Sequence, residues 1–298
     1  MIAILIILLI PISYFSTTQS VHRSMPQHPI SYFSKKNIPT RQASDNTKRV
    51  IIVGASVGMG KKLSTMLATD GYIVGMTARR LPLLEAIQQE IPTPTYIAYM
   101  DASKPHEAVN VLTDLINKMG GLDLLILAQT GFHECDFNGS AWTDCLPVLE
   151  VDVVGFFALA RTGLAFFESQ GHGHLVGFSS IDGLYGLAQA PAYSASKAFC
   201  SRLLQAESNK YLQKNIPIFV TDVCPGWIDS HNNFDYSQAP HAYWVESLDD
   251  ACNEIYEAIN NKVSIAYITH RWQKVAELLS WIPNDLYNAL NARPGGGL

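Results

Sequence analysis

The chain has 298 residues and a formal net charge of −5, with 48% hydrophobic and 16% charged residues. That is enough apolar material for one large α/β domain or two small ones, and it argues against a chain disordered throughout. No long basic run occurs, so nucleic acid is not expected as a main partner.

In chain order, residues 1–15 are almost entirely apolar. The run is short for a membrane-spanning helix of ~20 residues, and it has neither a basic n-region nor a clear cleavage site. Three readings stay open: a weak membrane anchor touching a membrane surface through 1–15, an uncleaved signal-like segment, or a start at Met25. The hexapeptide PISYFS occurs at 11–16 and again at 29–34, which is too few copies for a repeat architecture. Residues 16–47 are rich in Ser, Thr, Pro, Gln and Asn and read as a flexible linker. We therefore expect 1–47 to be leader and linker, 48–270 to be the folded domain, and 271–298 to be a helical extension and tail.

From Arg49 the pattern changes. RVIIV predicts a buried strand running into the glycine-rich turn GASVGMG at 54–60, followed by a helix over 61–70. Further apolar strands are predicted at 72–79, 95–100, 122–129, 174–180, 216–223 and 263–269. Helices are predicted at 81–91, 103–119, 141–169, 191–214 and from the cap Ser247 to about 261. Strands that are apolar on both faces and alternate with helices predict a parallel sheet covered on both sides. The expected fold is thus α/β, a doubly wound seven-stranded sheet of Rossmann type in one domain, with ligands at the carboxyl ends of the strands. The five cysteines at 135, 145, 200, 224 and 252 form no C-x-x-C pair. They read as reduced thiols of a reducing compartment, and no metal site is expected.

Glycines at 54, 58 and 60 suit a turn in which the backbone approaches phosphate at a helix N-terminus. The second strand ends in MTARR, with Arg79 and Arg80 and no carboxylate. An acidic residue there would hold a ribose 2′-hydroxyl and an arginine would accept a 2′-phosphate, so NADP(H) is favoured over NAD(H). In the helix over 191–214, Tyr193 and Lys197 lie four apart on one face. A lysine ammonium favours a neighbouring phenolate, which would bring a phenol of pKa about 10 toward acid–base use. By itself this spacing is weak evidence, because most such pairs are a packed Tyr and a solvated Lys.

The glycine turn, Asp101 ending the third strand, Ser180 ending the fifth and Tyr193/Lys197 stand together in order, and the set resembles the short-chain dehydrogenase/reductase family. The resemblance covers roughly 48–270; Ser180 precedes Tyr193 by thirteen residues, and Pro225-Gly226 with Ile228 and Ser230 follows the sixth strand. It implies an enzyme, an NAD(P)-dependent oxidoreductase acting on a carbonyl or secondary alcohol. Tyr193 would be general acid or base, Lys197 would tune it and hold the nicotinamide ribose, and Ser180 would hydrogen-bond the substrate oxygen. Cofactor contacts would come from Gly54, Ser56, Gly58, Met59, Gly60, Arg79, Asp101, Ala102, Ala128, Tyr193, Lys197, Pro225, Gly226 and Ile228. The resemblance also implies a homodimer or homotetramer. The alternative is a non-catalytic NADP(H)-binding sensor or scaffold on the same fold. A cytoplasmic location is expected, with membrane association through 1–15 left open.

Two stretches depart from the family pattern. Ala128-Gln129-Thr130-Gly131 replaces an Asn-Asn-Ala-Gly-like stretch, and Asp152-Val-Val-Gly155 replaces Asn-x-x-Gly. Asp152 enters the candidate catalytic set with two readings: it steadies the Lys197 ammonium, or it holds that ammonium too tightly for proton transfer. Aromatic residues at 227–244 (Trp227, Phe234, Tyr236, Tyr243, Trp244) with Tyr185 suit either an apolar substrate body or a loop folded on itself. The stretch 270–290 is amphipathic and broken at Pro283. It could dock on its own domain, contact a second subunit or rest on a membrane.

Overall fold

A computed structural model describes residues 46–131, 141–187, 190–230 and 244–291. The expectations for the leader, for the aromatics Phe234, Tyr236 and Tyr243, and for the tail at 292–298 lie outside the described residues. No helix among the described residues is long and apolar enough to cross a membrane.

The chain alternates strand and helix from its first element. The strands and helices of the first half are β1 (Arg49–Val53), α1 (Gly58–Thr69), β2 (Ile73–Ala78), α2 (Leu81–Glu90), β3 (Thr95–Tyr99), α3 (Pro105–Met119) and β4 (Leu124–Leu127). Next come a short 3₁₀ turn, α4 (Leu146–Leu149), a π-helical turn over Glu150–Gly155 and α5 (Phe156–Gln170). The second half has β5 (Gly173–Phe178), α6 (Pro191–Lys214), β6 (Ile218–Pro225), β7 (Ile228–Asp229), β8 (Glu246–Ser247), α7 (Leu248–Asn261), β9 (Ile265–Ile268), α8 (Arg271–Trp281) and α9 (Asn284–Asn291).

The sheet has seven strands in the order β3-β2-β1-β4-β5-β6-β9, all parallel. Successive β1 residues show why both faces must be apolar: Val50 and Ile52 enter the layer under α1, α2 and α7, while Ile51 and Val53 enter the layer under α3, α5 and α6. The strand order reverses between β1 and β4, so a crevice opens at their carboxyl ends. At that crevice the turn after β1 meets the residue after β4, since a Cβ on Gly54 would stand 2.7 Å from the Gln129 nitrogen.

The stretch expected to be helical over 141–169 is helical from Trp142 to Gln170, with three kinds of turn in it. The π turn lies at Glu150–Gly155, and a tertiary contact meets its last residue. A Cβ on Gly155 would stand 2.0 Å from the Ala102 carbonyl oxygen, so the loop after β3 presses against a helix that has room there only for glycine. The pair β7–β8 was not expected; its two-residue strands carry no periodic signal. Ser247 caps α7 as expected, its hydroxyl oxygen accepting from the Asp250 amide at 3.1 Å.

The helices α8 and α9 dock on their own domain. Trp272, Ala276 and Leu279 are buried, while Leu278 and Trp281 remain exposed. Across the opposite layer, α5 and α6 are tied by ion pairs from Arg161 to Glu207 (3.1 Å) and from Lys210 to Glu168 (2.9 Å), and Lys210 also pairs with Glu207 within α6 (3.2 Å). These hold the helix that bears Tyr193 and Lys197 against its neighbour.

Candidate active site

The site begins at the glycine turn. Gly54 and Gly58 have φ of +87° and +55°, values side-chain-bearing residues rarely adopt. A Cβ on Gly60 would stand 2.3 Å from the Gly54 carbonyl oxygen, so the first turn of α1 closes directly on the end of β1. No side chain caps α1, and no acidic residue lies in its first turn. Its N-terminal amides and positive dipole end thus face the crevice without a built-in anion.

Around that turn, Arg80 donates to the Ser56 hydroxyl at 3.0 Å. The arginine that touches the glycine turn is therefore Arg80; both Arg79 and Arg80 are solvent-exposed. Asp101 accepts from the Ser103 amide (3.1 Å) and hydroxyl (2.8 Å), shaping the loop that presents Ala102. Ala128 and Gln129 follow β4. The Gln129 side chain is buried, and neither atom of its amide has a hydrogen-bond partner. A buried amide without partners is the kind of group a bound molecule satisfies. On the far side of the crevice, the Gly226 amide donates to the Ile268 carbonyl at 2.6 Å, which anchors the Pro225-Gly226 turn. Ile228 is buried beyond it, and Ser230 Cβ would lie 3.7 Å from a Cβ on Gly58. The 225–230 segment thus closes over the glycine turn. Free backbone donors, a close-approach turn, an orphaned amide and a flanking arginine together fit a dinucleotide.

Ser180, Tyr193, Lys197 and Asp152 come together beside this crevice. Ser180 follows β5; its oxygen accepts from the Asp182 amide at 3.1 Å, and it also hydrogen-bonds Tyr193. The neighbouring Ser179 hydroxyl instead donates to the Val223 carbonyl at 3.4 Å, inside the sheet. The turn after Ser180 packs on α6, where a Cβ on Gly183 would stand 2.7 Å from the Ala198 nitrogen. Lys197 Nζ lies 5.5 Å from the Tyr193 ring centroid, 3.4 Å from the Phe178 carbonyl and 3.2 Å from Asp152 Oδ2. Asp152 is held in turn by the Gly131 amide at 2.7 Å and by the hydroxyls of Thr130 (3.3 Å) and Ser196 (3.4 Å). The altered 128–131 stretch thus supplies two of the donors that fix the altered residue at 152.

The electrostatics differ from the simple expectation for a Tyr–Lys pair. Burial pushes the Tyr193 phenol up to about 12; Lys197 and the Ser180 hydrogen bond pull it down, and Asp182 and Asp152 push it up. Burial also opposes the Lys197 charge, but Asp152, Tyr193 and Cys200 together hold its pKa above the ordinary lysine value. The lysine is a fixed cation, yet its field is shared with a carboxylate.

Sequence reasoning misses one residue near this site and reads two others only in part. In the sequence Arg80 is one of two arginines, and Gln129 is a departure from a pattern. Asp222 on β6 is 3% exposed, its Oδ1 lacks a partner, and burial raises its pKa against hydrogen bonds from Ser179 and Ser201 and the charge of Lys197. An Asp inside the apolar run IPIFVTDV was its one available signal.

Residues 48–240 match the family model for short chain dehydrogenase. An uncharacterised oxidoreductase of Myxococcus xanthus is 29% identical over 255 residues, 83% of this chain and 97% of that protein. Hydroxysteroid 11-beta-dehydrogenase 1-like protein A of Xenopus laevis is 28% identical over 225 residues, 71% of this chain and 74% of that one. The crystal structure of acetoin dehydrogenase from Enterobacter cloacae superposes with a TM-score of 0.65 at 22% identity, covering 74% of this chain and 95% of the other.

Proposed function

The chain belongs to the short-chain dehydrogenase family of oxidoreductases, and we propose that it transfers hydride between NADP(H) and a carbonyl or secondary alcohol carried on an apolar body. The observation that carries this reading is the grouping of half-buried Tyr193 with buried Ser180 and Lys197 at the crevice that the glycine turn borders. The cofactor, when bound, supplies or accepts the hydride. Gly54, Ser56, Gly58, Met59 and Gly60 would hold its pyrophosphate side, and Asp101, Ala102 and Ala128 the adenine side. Pro225, Gly226 and Ile228 would border the nicotinamide. Arg79 and Arg80 would receive a 2′-phosphate, and the Arg80–Ser56 contact supports that preference.

The remaining chemistry belongs to side chains of this chain. Ser180 orients the substrate oxygen by hydrogen bonding. Tyr193 delivers a proton to that oxygen in reduction and removes one in oxidation. Lys197 stabilises the phenolate formed when the proton leaves, and Asp152 keeps that ammonium charged and in place. With burial pushing its pKa up, the Tyr193 phenol carries its proton at neutral pH, as a general acid in reduction must.

An apolar substrate body is supported by the aromatic surroundings of Trp227 and Tyr185, and by the hydroxysteroid dehydrogenase-like name of one relative. A homodimer or homotetramer built partly on α6 accords with the exposed apolar side chains Leu149, Val154 and Phe157 of the neighbouring helical segments. The test is a binding titration with NADPH and NADH followed by turnover on a panel of steroid, alicyclic and short-chain ketones. Tight NADPH binding with reduction of at least one ketone is expected. Binding without any turnover would instead support a non-catalytic nucleotide sensor.

A further inference from the structure

The two C-terminal helices reach the segments that flank Tyr193 on both sides. The Tyr287 ring of α9 lies against Tyr185, with centroids 5.3 Å apart and planes at 31°. Its hydroxyl donates to the Gly186 carbonyl at 3.3 Å. Tyr185 and Gly186 belong to the stretch between Ser180 and Tyr193, and that stretch is fastened to the catalytic helix where the Leu187 amide donates to the Ser194 hydroxyl at 3.3 Å. At the other end, Trp272 of α8 packs on the Pro225-Gly226 turn, so close that a Cβ on Gly226 would meet its Nε1 at 2.1 Å. Trp272 is buried with Ile181 and Cys224, and Leu184, Trp227, Tyr267 and Val275 pack around them.

That layer also contains two donors without acceptors: the Tyr185 hydroxyl and the Trp272 Nε1 are both buried and unpaired. A buried donor left unpaired loses the hydrogen bonds it made with water and gains none in return. Two in one layer next to the catalytic residues mark a place whose polar groups are completed by something bound there.

We propose that α8–α9 form the substrate-side wall of the active site and that Tyr287 is a specificity-determining positioning residue, holding the 182–187 segment closed over the body of a bulky apolar ketone. This rests on the oxidoreductase reading above. Tyr287 does not touch the reacting atoms; it acts through Tyr185 and Gly186. A small ketone would not extend to this wall and would not sense it. The cofactor's phosphate site, at the end of β1, would not sense it either.

The experiment compares wild type with Tyr287→Ala and Tyr287→Phe. KM and kcat are read for a steroid ketone and for acetoin, NADPH affinity by fluorescence titration, and amide hydrogen exchange over 182–187. Loss of one ring contact and one hydrogen bond predicts a steroid-ketone KM raised about tenfold in Tyr287→Ala. The acetoin KM and the NADPH affinity stay unchanged, and exchange over 182–187 becomes faster. The Phe variant, which keeps the ring, lies close to wild type. Equal changes for both ketones, or unchanged exchange over 182–187, overturn the proposal. If wild-type enzyme reduces neither ketone, the oxidoreductase reading fails by itself, and the exchange result still decides whether Tyr287 holds that segment.

Discussion

The Lys197 ammonium stands 3.2 Å from the Asp152 carboxylate, with both side chains almost entirely out of solvent. A neutral Asn at this position would leave the lysine's full positive charge acting on Tyr193. The carboxylate divides it, and Asp152 is among the groups that raise the Tyr193 pKa. Alcohol oxidation needs the phenolate and so should climb with pH through the alkaline range. Asp152→Asn removes the negative charge and should move that climb toward lower pH. The pH dependence of kcat/KM for oxidation checks this; a profile unchanged by the substitution would show that Asp152 has no electrostatic part in proton transfer.

Asp152 also carries a structural share. Removing one partner of a buried ion pair leaves the other charge uncompensated, at a cost of about 3–5 kcal/mol. Asp152→Ala should lose stability on that scale in urea denaturation. Asp152→Asn keeps a hydrogen-bonding group among Gly131, Thr130 and Ser196 and should lose clearly less.

At the other end of the crevice, Arg80 is the arginine in contact with the glycine turn. A charge-assisted hydrogen bond is worth about 1.5–3 kcal/mol. Arg80→Ala should therefore weaken NADPH binding roughly tenfold to a hundredfold while leaving NADH binding little changed. Equal losses for the two cofactors would assign Arg80 to the shape of the turn alone.

His174 links pH to stability in a place remote from the chemistry. Burial pulls its pKa down to about 4, with Lys262 adding to the effect, and Nε2 lies 2.9 Å from the Thr221 hydroxyl. Its unfolded value is near ~6.5, so the native imidazole stays neutral where the unfolded one is charged. The sign follows: this stability is fully present above about pH 6.5 and is lost as pH falls toward 4. His174→Asn should flatten that part of the stability–pH curve, measured by denaturant titration at several pH values.

The sheet was legible because β1, β4 and β5 are apolar on both faces, and only a parallel sheet covered on both sides buries such strands. The glycine turn and the Ser180–Tyr193–Lys197 spacing were legible because each is set by local geometry along the chain. What stayed hidden depends on contacts between distant segments. The close approach of the Ala102 carbonyl to Gly155, at the end of the π turn, is a contact that no pattern within 141–169 encodes. The choice of Arg80 over Arg79 depends on which side chain faces Ser56 across the crevice. The raised Tyr193 pKa reflects burial, whereas helical spacing reports only the nearness of Lys197. Asp152 stood out in the sequence as a substitution in a pattern, but its effect on Lys197 required the distance between them.

The most direct test of the account replaces one atom. Tyr193→Phe removes the phenolic oxygen and leaves the ring against α6. NADPH affinity should be retained while ketone reduction falls by about a hundredfold or more, the range expected for loss of a general acid. Reduction at the wild-type rate by Tyr193→Phe would contradict the assignment of proton transfer to Tyr193.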